Sequence, residues 1–185
     1  MICVQITRGI APARSIKNIT DLCRDNRIDH ILVEGLPAYQ AKNRAVEIAR
    51  SSGSDLLLCE DDVLANHAHF TIMQMTTCLA FAPAKLKSGV RNTQYRKDGS
   101  LWYTGTIFCK IPRRFLDGLE FRPAVYERHG WEEWYKGESA DGRGSDVHFW
   151  IEIRKRYPTE QILELPEVEH IIHEAQRGYL MQGLK

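Results

Sequence analysis

The chain has 185 residues, a length at which one hydrophobic core buries roughly 70% of the unfolded surface. Its 25 Lys and Arg against 24 Asp and Glu leave a formal charge of +1, too little to draw it to nucleic acid or an anionic membrane, so a bound anion must be held by local groups. Cys3, Cys23, Cys59, Cys78 and Cys109 form no C-x-x-C pair; with no leader-like N-terminus and no apolar stretch of membrane-spanning length, a cytoplasmic protein without a zinc cage or membrane span is expected.

Residues 2–6, ICVQI, are rich in β-formers and end at Thr7-Arg8-Gly9. Ile16, Ile19, Leu22 and Cys23 then recur at helical spacing, with Ser15 as the expected N-cap. The pattern repeats with HILV at 30–33, a break at Glu34-Gly35-Leu36-Pro37, and a helix over 39–51 whose apolar face carries Ala41, Ala45, Ile48 and Ala49. Ser52-Gly53-Ser54 ends it. Leu56-Leu57-Leu58 does not alternate, as befits a strand buried on both faces of a parallel sheet. The first 80 residues therefore read β-α-β-α-β-α, which implies right-handed crossovers and a ligand crevice at the carboxyl ends of the strands.

The second half differs. Asp98-Gly99 between QYRK and SLWYT predicts a hairpin, and 106–111 a further strand. Pro112 to Asp117 reads as a short helix closed by Gly118. Residues 120–144 read as a long loop, 145–157 as a helix, and ILELPEVEHIIH as two short strands around Pro166. There is no internal repeat.

Glu60, Asp61 and Asp62 follow directly on the leucines. Period-2 geometry would send Glu60 and Asp62 to one side and Asp61 to the other, just past the sheet edge. Three adjacent carboxylates suit a hard divalent cation, Mn²⁺ or Mg²⁺, shared with substrate phosphates. The same residues would also serve as the N-cap of a helix starting near Val63.

In this order of strands, helices and motifs the chain resembles the GT-A-fold glycosyltransferases of the family-2-like, nucleotide-diphospho-sugar type. The resemblance rests on DLLLCEDDV at 55–63, an E-D-D variant of the family's Asp-x-Asp motif, and on Ala41-Lys42-Asn43-Arg44, similar to its A-R-N element. It rests also on the glycine segment Tyr103-Thr104-Gly105-Thr106, on Pro112-Arg113-Arg114-Phe115-Leu116, and on Gly144-Ser145-Asp146-Val147, where the family reads G-E-D-[VL]. It implies a three-layer α/β/α sandwich with a mostly parallel sheet and a small antiparallel hairpin, with 1–80 as the nucleotide-binding half of a single domain and 81–185 as the acceptor half.

The resemblance further implies that Thr7, Arg8, Glu34, Lys42, Asn43, Glu60 and Asp61 face the nucleotide. Asp62 and a His on the closing strand, His170 with His173 as competitor, would hold the metal. Asp146 would be the base that deprotonates an acceptor hydroxyl, although Ser145 replaces the usual glutamate beside it. Trp131, Glu133, Trp134 and Tyr135 would offer a platform or lid over the sugar. The implied partners are a UDP- or GDP-sugar and an acceptor hydroxyl compound. A nucleotidyltransferase attacking the α-phosphate is the alternative enzyme class, though TRGIAPAR is only a thin version of its Gly-rich basic loop. A catalytically silent nucleotide-sugar-binding module is the alternative without chemistry.

Overall fold

The structure is a computed structural model that describes residues 1–7, 12–85, 91–121 and 145–171. In chain order its elements are β1 (Ile2–Thr7), α1 (Ala13–Asp25), β2 (Asp29–Glu34), α2 (Ala38–Ser51), β3 (Leu56–Glu60), β4 (Val63–Leu64), α3 (His67–Met75) and β5 (Leu79–Phe81). Next come β6 (Thr93–Tyr95), β7 (Leu101–Thr104), β8 (Phe108–Ile111), α4 (Arg113–Leu116), α5 (Ser145–Arg156), β9 (Ile162–Glu164) and β10 (Glu169–His170). Six strands form one sheet in the order β2-β1-β3-β8-β5-β9. All its neighbouring pairs are parallel except the two made by β8, which runs against both β3 and β5.

Strand alternation divides the core into two layers. Val4, Ile6, Leu56 and Leu58 pack on one face with Ala45 and Val46 of α2, Phe115 of α4 and Trp150 of α5. Cys3, Leu57 and Cys59 pack on the other with Ile19 and Leu22 of α1 and Phe70 and Met73 of α3. The leucine run has no polar alternation because both faces of β3 are covered, and full burial of each leucine contributes about 1.5–3 kcal/mol. The result is the three-layer α/β/α sandwich with a mostly parallel sheet. The antiparallel hairpin is present as β6 and β7, turning at Gly99 with φ of 81°.

Three local expectations are corrected. Ser15 does not cap α1, which begins at Ala13; it lies buried within the first turn, where its hydroxyl donates to Val63 O at 2.7 Å and accepts from Gln5 Nε2 at 3.2 Å. Nor does the acidic triplet cap a helix. Asn66 performs that task for α3, accepting from the His69 N–H at 3.1 Å while His69 Nδ1 accepts from the Asn66 N–H at 3.2 Å. Between the triplet and that cap the chain forms β4, a two-residue strand paired with β10. Residues 61 and 62 are a turn, so strand alternation stops at Glu60 and does not dictate where the two aspartates point.

Candidate active site

The strand order reverses at β1, since α1 leads to β2 on one side and α2 carries the chain back to β3 on the other. The carboxyl ends at such a point open a crevice between diverging connections. Thr7 is paired in register with Glu34, and Glu60 is level with Ile6, so three of the expected residues end three adjacent strands. Thr7 and Glu60 are buried and Glu34 is exposed.

Beyond Glu60 the turn brings Asp62 against the end of the chain's last described strand. His170 Nε2 lies 2.9 Å from Asp62 Oδ2. The backbone fixes this meeting: His170 pairs with Val63 across β10 and β4, and the Ile171 N–H donates to Asp62 O at 2.6 Å. Asn18 of α1 braces the same segment by bonding both the N–H and the carbonyl of Ala65. Asp62 is 8% exposed, and its second oxygen, Oδ1, is buried without a hydrogen-bond partner among the described residues. A buried carboxylate oxygen left in that state costs free energy unless a donor or cation meets it.

On the other side of Glu60 stands Lys42, whose side chain is 2% exposed. Its ammonium lies 3.2 Å from Glu60 Oε1 and donates to Asp146 Oδ1. Burial alone would lower the Lys42 pKa, but the two carboxylates outweigh it and the pKa is raised. Asp146 begins α5, and its Oδ1 also accepts the Thr106 hydroxyl at 2.6 Å. Both donors converge on one oxygen, and the Asp146 side chain remains 27% exposed.

A packed relay fixes α5 in front of this cluster. The Asn43 carboxamide donates to Phe121 O at 2.9 Å and accepts the Phe121 N–H at 2.7 Å. Phe121 stacks on Phe149 with ring centroids 5.0 Å apart, and the neighbouring Trp150 donates its indole N–H to Thr104 O at 2.7 Å. Gly105 follows directly, and a Cβ there would meet the Asn92 side chain at 2.5 Å. The glycine therefore lets the chain pass from β7 to Thr106.

The structure thus brings Glu60, Lys42 and Asp146 into one cluster and Asp62 and His170 into another. Asp61 is buried in the turn between them. Asn43 is engaged with backbone, and the Lys42 ammonium with carboxylates. Arg8, His173, Gly144, Trp131, Glu133, Trp134 and Tyr135 lie outside the described residues. Sequence reasoning missed Thr106 and Phe121 as members of the site. Thr106 sat within the quoted glycine segment, whereas nothing in the residues around Phe121 announces it.

Among the described residues no group of three or more His, Cys, Asp or Glu side chains is arranged to hold a metal ion, and no helix is long and apolar enough to cross a membrane.

No protein-family model matches the chain, and no curated protein matches it in sequence. Among solved structures, the crystal structure of A197 from STIV is similar over 94% of this chain and 87% of its own, with a TM-score of 0.59 at 16% identity. A glycosyltransferase involved in the glycosylation of the major capsid of PBCV-1 is similar over 97% of this chain and 98% of its own, with a TM-score of 0.48 at 9% identity. The likeness to A197 is one of fold.

Proposed function

We propose that the chain is a metal-dependent glycosyltransferase that moves a sugar from a nucleotide-diphosphate sugar to an acceptor hydroxyl. The observation that carries this reading is the meeting of Asp62 with His170 at the carboxyl edge of the sheet, 2.9 Å apart across 108 positions of sequence, with Asp62 Oδ1 buried and without a hydrogen-bond partner among the described residues. One carboxylate and one imidazole fit a divalent cation that takes its remaining ligands from phosphate oxygens and water. The mixed oxygen and nitrogen donors suit Mn²⁺ better than Mg²⁺. A cation held there would offset negative charge on the leaving diphosphate.

Thr7 and Glu34, in register at neighbouring strand ends, would face the ribose and base, and Asp61 the ribose or diphosphate. Asp146 would take the acceptor proton through Oδ2, since Oδ1 is already committed to Lys42 and Thr106. The acceptor oxygen would then bond to the anomeric carbon as the bond to the diphosphate oxygen breaks, its electron pair leaving on the diphosphate. That course inverts configuration.

A thermal-shift screen of UDP- and GDP-sugars with and without Mn²⁺ tests the reading. A ligand at 100 times its Kd adds about 2.7 kcal/mol of stability, and Asp62→Asn and His170→Ala should each abolish the Mn²⁺-dependent part. No metal-dependent shift with any nucleotide sugar overturns the scheme. The two donors on Asp146 Oδ1 favour one second reading, a silent nucleotide-sugar-binding module. Turnover by the wild type that Asp146→Asn loses would exclude it.

A further inference from the structure

We propose that Lys42 and Thr106 are positioning residues for Asp146, together fixing its carboxylate so that Oδ1 is saturated and Oδ2 alone is presented to the crevice. The resemblance assigned Lys42 to the nucleotide, yet its ammonium is buried against two carboxylates contributed by different elements, Glu60 at the end of β3 and Asp146 at the start of α5. To reach a nucleotide it would have to leave both, removing the cation that lies between the buried Glu60 and the half-buried Asp146. Thr106, just ahead of β8, supplies the second donor to the same oxygen. Two donors on one carboxylate oxygen restrict rotation of the group, and a fixed carboxylate is what a directed proton transfer requires.

The charged and titratable groups that face Asp146 come from several elements. Lys42 lies on α2, Glu60 on β3 and Cys109 on β8; burial and the neighbouring Asp146 push the Cys109 thiol up, so it is neutral. Lys42 is the cation in contact with Asp146 among the described residues. Its removal would leave Asp146 near Glu60 with only the Thr106 hydroxyl as donor.

The inference rests on the reading of Asp146 as the acceptor-side carboxylate, but its test needs no substrate. In protein carrying ¹³C-labelled aspartate, the Asp146 carboxyl resonance, assigned by its loss in Asp146→Asn, is titrated without nucleotide or metal. Lys42→Met should raise its midpoint by about one pH unit or more, the usual size of an opposite-charge effect within 4–6 Å. Lys42→Arg should return most of that shift. Thr106→Val should produce a smaller rise.

An unchanged midpoint in Lys42→Met overturns the proposal, as does a rise that Lys42→Arg leaves in place, because lost packing alone would cause that. If Lys42→Met does not fold, Thr106→Val decides: a raised midpoint supports the proposal and an unchanged one overturns it. A failed nucleotide-sugar screen beside the expected titration removes the proposed activity and leaves the positioning role standing. A flat titration beside a successful screen does the reverse.

Discussion

Two buried lysines sit at opposite ends of the same part of the sheet. Lys42 meets Glu60, the last residue of β3; Lys110, also 2% exposed, meets Asp55, the residue just before β3, at 2.9 Å. The Lys110 site is closed. Its ammonium also donates to Thr76 O at 2.5 Å, and the other Asp55 oxygen accepts the Arg113 N–H at 2.8 Å. The Lys42 site is open: its ammonium is shared between carboxylates of two elements, the Asp146 side chain stays 27% exposed, and nearby Asp62 Oδ1 has no hydrogen-bond partner among the described residues. A matched ion pair at the amino edge holds strands and helix together, while at the carboxyl edge the partly exposed Asp146 and the Asp62 oxygen are placed to answer a proton or a cation. The two lysines are equally buried, and what differs is how their carboxylates are held.

The largest expected effect separates the two ends by chemistry. Asp146→Asn should lower transfer by about 100- to 10,000-fold, whereas Asp55→Asn should leave turnover unchanged and lower only the melting temperature, both read in a steady-state assay with the donor found by the screen. Comparable turnover losses in the two variants would erase the distinction. Lys42→Met should cost about 3–5 kcal/mol in urea unfolding, because it takes a cation from the buried Glu60, and Lys110→Met should cost less, since the Asp55 it leaves is 32% exposed. Only the first should alter the Asp146 titration.

Acid sharpens the closed end. Burial raises the Asp55 pKa, but the Arg113 N–H and Lys110 more than offset it and the folded value is lowered. A depressed carboxyl stabilises the fold above its unfolded pKa of about 3.9, and the contribution is lost as pH falls through the lower folded value. Asp55→Asn should therefore flatten the acid limb of a pH-melting profile, and an unaltered limb would show that the pair contributes little. Alkali addresses the open end. The raised Lys42 pKa means a contribution fully present below about pH 10.4 and lost only as pH rises through the folded value. Among these, the smallest expected effect is a later alkaline melt in wild type than in Lys42→Gln.

Much of this was legible because the signals were local. The leucine run, the helical spacing of 39–51 and the Asp98-Gly99 turn each specify their element through neighbours a few residues away. β4 was not legible, since two residues carry no period and its strand character depends on β10. The strand β5, only Leu79–Phe81, was hidden for the same reason. Among site residues, the family resemblance had put a histidine of the closing strand, His170 or His173, beside Asp62; the contact described is with His170, and His173 lies outside the described residues. The engagement of Lys42 with Asp146 and of Asn43 with Phe121 spans 104 and 78 positions of sequence, so residue type alone left their partners open.

The pairing of β10 with β4 has a consequence for biosynthesis. Asp62 emerges from the ribosome well before His170. Chains are synthesised at about 5–20 residues per second. Adding the 108 residues from Val63 to His170 takes several seconds at that rate, and for that time Asp62 exists without its imidazole partner. Completion of the site is therefore a late, separable event in the life of each chain.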